Sequence, residues 1–123
     1  MTLTTFLFLL TGVLLNAGAQ LLLKAGVTPL GAISVEASTL VATGLRLVSQ
    51  WPILAGLACY VLSVGVWLVA LSRIDVSVAY PMLSLGYVVN AVAAYWLFGE
   101  ALGPMRVAGI AVILLGVFIV ART

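Results

Sequence analysis

Four apolar stretches, at about residues 3–24, 52–72, 77–98 and 105–121, divide this chain, each close to the roughly 20 residues a helix needs to cross the hydrocarbon core of a bilayer. Lipid offers no partner to a peptide N–H or C=O, so a spanning segment must satisfy its own hydrogen bonds as a helix or belong to a closed barrel. A barrel needs about eight or more alternating segments of about ten residues each. This chain has neither the pattern nor the length, and the expected fold is an all-α, integral membrane bundle of four transmembrane helices.

The charges agree with that division. Lys24, Arg46, Arg73, Arg106 and Arg122 and the acidic Glu36, Asp75 and Glu100 fall between the stretches or at their ends. With 65% hydrophobic and 7% charged residues there is too little polar surface to cover a water-soluble globule of 123 residues. Histidine is absent and Cys59 is the one cysteine, so a zinc site, a disulfide framework or a Cys-His nucleophile has nothing to build on. No metal or cofactor is expected. A scattered net charge of +2 gives no reason to expect nucleic acid as a partner. The first stretch could be read as a cleaved signal peptide, given Ala17, Gly18 and Ala19, but it has no basic leader and carries Asn16 and Gln20 in its apolar part. A permanent helix is expected.

Punctuation sets the boundaries. Pro52 and Pro104 stand where the second and fourth helices begin, and Asp75 or Ser77 is placed to cap the third. Pro81 lies near enough to that start to be accommodated without a strong kink, although a functional bend is open there. The links Arg73 to Ser77 and Gly99 to Pro104 are short enough to demand antiparallel hairpins. The first connection, about 25–51, is longer. It opens with the turn formers Gly26, Pro29 and Gly31, then runs as Glu36 to Gln50 with Val41, Leu45 and Val48 at helical spacing. An interfacial helix over about 36–50 fits, either as a linker on the headgroups or as a gate. Orientation is not fixed by charge: Arg73 and Arg122 share the face of the termini, while Lys24, Arg46 and Arg106 lie on the other.

Polar residues inside the spans carry the functional signal. Asn16, Gln20 and Lys24 follow one another at i+4 steps on the first helix, a stripe that should avoid lipid. The amides can bind a substrate headgroup or hold a neighbouring helix, and Lys24 can meet a phosphate or snorkel to the headgroups. The second helix offers Tyr60, Ser63 and Trp67, and the third offers Tyr80, Ser84 and Tyr87 with Asn90 a turn further. Tyr87 and Asn90 lie too deep to be interfacial anchors of the kind Trp51, Tyr95 and Trp96 suit. Together these faces can line a polar groove. No Asp or Glu lies in the middle of a span, although a proton-coupled cation exporter ordinarily needs such a carboxylate. Gly109 and Gly116, seven apart, share a face of the fourth helix and suit either a subunit interface or packing within the monomer.

From Gly12 onward, the long first connection excepted, the chain resembles the small multidrug resistance and EamA-like group of the drug/metabolite transporter superfamily. The resemblance is carried by Val78-Ala-Tyr-Pro-Met-Leu-Ser-Leu-Gly86, by Phe98-Gly-Glu100, and by Gly109-Ile-Ala-Val-Ile-Leu-Leu-Gly116-Val117. Ala79 to Leu85, with Gln20 and Lys24, looks most like the ArnE/ArnF type of undecaprenyl-phosphate-aminoarabinose flippase subunits. Where the multidrug branch has its first-helix glutamate this chain has Asn16, and where that branch has a third-helix tryptophan it has Leu83.

The resemblance implies a multi-pass protein of the bacterial inner membrane that flips a polyprenyl-phosphate-linked sugar lipid between leaflets and has no enzymatic activity. Its implied substrate-binding residues are Asn16, Gln20, Lys24, Tyr80, Ser84, Tyr87 and Asn90. It also implies a homodimer, or a heterodimer with a related four-helix subunit, formed through Gly109, Gly116 and Val117. The alternative is a multidrug-type, proton-coupled exporter of small cationic compounds.

Overall fold

The structure, a computed structural model, describes residues 2–33 and 35–123. Six helices, α1 (Leu3–Val27), α2 (Leu40–Val48), α3 (Trp51–Leu71), α4 (Val76–Met82), α5 (Ser84–Phe98) and α6 (Pro104–Ala121), account for the secondary structure with a 3-10 turn at Thr28–Leu30. Among the described residues there is no strand. Four helical segments are long and apolar enough to cross a membrane, with α4 and α5 together making the third.

Local chemistry explains most of the ends. Thr2 caps α1 by accepting from the Thr5 N–H at 3.2 Å. At the other end the Thr28 hydroxyl donates to the Lys24 carbonyl at 2.6 Å, which carries α1 past the sequence-based end near residue 24. Gly26 is therefore helical and not a turn former; the turn falls on Pro29 and on Gly31, whose φ is +69°. Pro52 and Pro104 occupy the first turns of α3 and α6, where an amide proton has no intrahelical partner to lose. Asp75 is the N-cap of α4, but its side chain makes no capping hydrogen bond, and its carbonyl accepts from Val78 and Ala79. α5 ends on Gly99 at φ +66°, a left-handed C-cap that the absent Cβ makes cheap, and the Glu100 N–H closes the end on the Ala94 carbonyl.

The third span is interrupted. Pro81 has no N–H to return to the preceding turn, and the helix tightens through bonds from the Leu83 N–H to the Tyr80 carbonyl and from the Gly86 N–H to the Leu83 carbonyl. α4 and α5 meet at this point as two helical pieces. The interruption falls at Leu83, two residues beyond the proline.

Helices α1 and α3 form the most extensive helix pair. They approach closely at Gly56, where a Cβ would stand 3.0 Å from the Ala19 carbonyl oxygen. Small residues at such a contact matter because lipid gives helices no hydrophobic drive to associate, leaving dispersion between close backbones to hold them. α5 packs on the other side of α1, with Gly86 against Val13 and Ala17. α6 lies on α4 and α5.

The packed core sits at the end of the bundle that carries the termini. Leu9, Ala70, Ala79, Met82 and Val117 are buried there, flanked by Phe6, Phe8, Trp67, Leu71, Ile74 and Leu85. Arg73 lies over the Phe8 ring, 5.1 Å from its centroid, and ties the α3–α4 turn to the start of α1. Towards Lys24 the helices give way to a cleft. Outside the bundle, α2 leaves Leu40, Val41, Leu45 and Val48 exposed as an apolar face.

Candidate functional site

The polar stripe on α1 is not straight. Each step of four residues advances about 40° round a helix axis, so Asn16, Gln20 and Lys24 turn progressively from the α3 side of α1 towards α5. That drift divides the predicted groove into two clefts.

The inner cleft, about 230 Å³, is lined by Gly12 and Asn16 of α1, Tyr60, Ser63, Val64 and Trp67 of α3, Tyr80 of α4, and Leu83. Trp67 and Tyr80 meet edge to face with centroids 6.3 Å apart, an arrangement that sets both rings in the wall. Ser63 is buried and its Oγ donates to the Tyr60 carbonyl at 2.6 Å, so this hydroxyl faces the cleft as an acceptor.

The outer cleft is larger, about 370 Å³, within the range of small-molecule sites. Gln20, Leu21 and Lys24 of α1 form one wall. Tyr87, Asn90, Ala91, Ala94 and Phe98, spaced at three and four residues along α5, form the second. The α5–α6 hairpin closes the mouth with Glu100, Ala101, Leu102 and Arg106. Arg106 is held in place there, its Nη1 donating to the Ala101 carbonyl at 2.9 Å. Lys24 and Glu100 also line a neighbouring cavity with Thr28 and Gly31, so both border the open end of the bundle.

One atom in the outer cleft stands out energetically. The Oδ1 of Asn90 is buried and has no hydrogen-bond partner. A desolvated, unpaired amide oxygen costs about 1–3 kcal/mol, a cost that a ligand donor would recover if the Asn90 amide turned into the cleft it lines.

Of the seven predicted binding residues, Gln20, Lys24, Tyr87 and Asn90 share the outer cleft, and Asn16 and Tyr80 share the inner one. Ser84 is half-buried just past the interruption at Leu83 and lines neither. Glu100 and Arg106 read in the sequence as boundary charges, yet both stand at the cleft mouth. Their signal was position: they flank the turn that faces the same membrane side as Lys24. The glycine face on α6 is open, with Gly109 and Gly116 exposed and nothing near where their side chains would be. Val117 does not belong to that face. It is 6% exposed and packs in the core with Leu9, because one residue past Gly116 is a turn of about 100° round the helix.

Four apolar spans with polar clefts between them define a multi-pass membrane protein. The family model described as the EamA-like transporter family matches residues 1–122, and the chain belongs to this family. It is 38% identical over 117 residues to a probable 4-amino-4-deoxy-L-arabinose-phosphoundecaprenol flippase subunit ArnF of Aeromonas hydrophila, covering 94% of this chain and 78% of that protein. An Enterobacter protein of the same printed name is 36% identical over 121 residues, covering 94% of this chain and 92% of that one. A probable ArnE subunit from Pseudomonas savastanoi pv. phaseolicola is 45% identical over 74 residues, covering 60% of this chain and 64% of its own length. No solved structure matches. These relatives are named as flippase subunits, which favours the lipid-flipping expectation over the cation exporter.

Proposed function

We propose that this chain is a subunit of a flippase that moves a polyprenyl-phosphate-linked sugar between the leaflets of the bacterial inner membrane. The observation that carries the reading is the outer cleft, which gathers Gln20, Lys24, Tyr87, Asn90 and Arg106 inside an otherwise apolar bundle. A phosphate needs cationic and N–H donors away from competing lipid, and Lys24 and Arg106 supply them. A sugar needs amides and hydroxyls, which Gln20, Asn90 and Tyr87 offer. The isoprenoid tail has no polar need and stays in the bilayer. Asn16 and Tyr80 continue the polar path inward. No bond is made or broken in this process.

The names of the relatives support the same substrate class. Subunits named ArnE and ArnF both occur among them, which supports a partner of related architecture. The exposed Gly109 and Gly116 give α6 a flat strip on which a second four-helix subunit would seat.

The test is leaflet exchange in proteoliposomes. The purified protein, with any subunit that co-purifies, should accelerate exchange of a polyprenyl-phosphate-aminopentose, and Lys24→Ala should lower the rate about five- to tenfold. Unaltered exchange in that variant would remove Lys24 from the site. Absence of exchange with proton release on adding a cationic drug would establish the exporter instead.

A further inference from the structure

Glu100 is the one acidic side chain that lines the outer cleft, and its place there is unexplained by a phosphate alone. A carboxylate beside a phosphate subsite weakens it, because like charges repel. In the same mouth stand Lys24 and Arg106, so the cleft presents cations and one anion together. The hairpin fixes the backbone that carries the anion. Gly99 ends α5 in a left-handed conformation, the Glu100 N–H closes on the Ala94 carbonyl at 3.3 Å, and the chain turns there towards Pro104. Arg106 is anchored to the same hairpin through Ala101. A ligand that complements all three charges carries a negative group and a positive group a short distance apart.

We infer that Glu100 reads a cationic amine on the headgroup and selects amine-bearing glycolipid phosphates over neutral ones. This inference rests on the transport reading above and names the feature of the substrate that the same cleft distinguishes. The phosphate lies towards Lys24 and Arg106, and the protonated amine of the sugar donates to the Glu100 carboxylate. The Asn90 amide, turned into the cleft it lines, offers its unpaired Oδ1 to a sugar hydroxyl or a second amine proton. A neutral sugar leaves Glu100 unpaired beside the phosphate, so its headgroup enters with repulsion and without compensation. Glu100 is exposed to solvent, which limits the discrimination to about fivefold.

The experiment compares exchange of two lipids in the same proteoliposomes: a polyprenyl-phosphate-aminopentose and its N-acetylated form, which keeps the phosphate and loses the charge. The full chain, with any co-purifying subunit, should move the amine form about fivefold faster. Glu100→Gln should abolish the preference by slowing the amine form while leaving the N-acetylated form unchanged or faster. Glu100→Asp, which keeps the charge, should retain part of the preference and shows that the hairpin tolerates substitution. Lys24→Ala should slow both forms. Equal rates for the two lipids in the unaltered protein, or a preference that survives Glu100→Gln, would overturn the role of Glu100 and leave transport standing. Failure of both lipids to move would overturn the transport reading, and this inference with it.

Discussion

The contact between α1 and α3 at Gly56 can be tested against a control within the same helix. A methyl at Gly56 would stand 3.0 Å from the Ala19 carbonyl oxygen, 3.2 Å from Leu22 Cβ and 3.2 Å from Leu23 Cδ2. The first two belong to, or sit next to, the α1 backbone, so no rotamer change relieves them and α1 must shift by a few tenths of an ångström. Overpacking of this kind costs about 1–3 kcal/mol. Gly65 lies in the same helix with nothing within contact range of its missing Cβ. Gly→Ala substitution improves helix propensity by about 0.5–1 kcal/mol, but α3 stays helical in detergent when tertiary contacts are lost, so that gain largely cancels in both variants. Gly56→Ala should therefore be less stable than Gly65→Ala by about 1–3 kcal/mol. The measurement is reversible unfolding in mixed micelles with rising dodecyl sulfate, followed by the fluorescence of Trp51 and Trp67. Equal midpoints for the two variants would mean that the helices do not approach at Gly56, and the account of how α1 and α3 associate would fall.

Other residues test the clefts and the open face. Asn90→Leu removes the buried, unpaired acceptor, so it should leave stability unchanged or raise it by about 1–2 kcal/mol while reducing lipid exchange; a stability loss of that size would show that Asn90 has a structural partner. Ser84→Ala should leave exchange unchanged, since Ser84 lines neither cleft, and a large loss would move the binding surface past the Leu83 interruption. Gly116→Leu fills open space on α6, so it should leave the unfolding midpoint within about 0.5 kcal/mol and lower the yield of crosslinked subunit pairs through a cysteine placed at Gly109. An unchanged yield would take the glycine face out of the interface.

Hydropathy made the spans legible because lipid removes every alternative for an apolar run of this length. The ends were legible where a proline or a glycine dictates them, as at Pro52, Pro104 and Gly99, and obscure where a hydroxyl does the work. Thr28 closes the end of α1 on the Lys24 carbonyl with both its N–H and its hydroxyl, and Gly26, an expected turn former, is a helical packing residue beside Ile53. The polar stripe was visible as spacing, but its division into two clefts depends on the drift of i+4 positions round α1 and on the break at Leu83. Glu100 and Arg106 were hidden by their own ordinariness, because charges at span ends are the rule in membrane proteins. Val117 was named with Gly109 and Gly116 from the family motif, but in this fold it is turned about 100° from Gly116 and packs in the core with Leu9.

The distribution of packing along the bundle bears on how a headgroup would cross. At the end carrying the termini, Leu9, Met82 and Val117 bring α1, α4 and α6 together into an apolar seal. At the other end the outer cleft is open and polar. A headgroup held by Lys24 and Asn90, as proposed above, would face one side of the membrane in this conformation, and its passage to the other would require the seal to part. The helices of the seal are not equally free to do so. α1 is bound to α3 by an extensive contact that includes close approaches at Gly56 and Gly26. The third span is different: at Leu83 it is joined by tightened turns and relieved of a hydrogen bond by Pro81. Motion of α4 and α6 about that point would open the seal without disturbing the α1–α3 pair. Tyr80 lies on one side of that point and Tyr87 and Asn90 on the other, so the interruption divides the third span's contribution to the inner cleft from its contribution to the outer one.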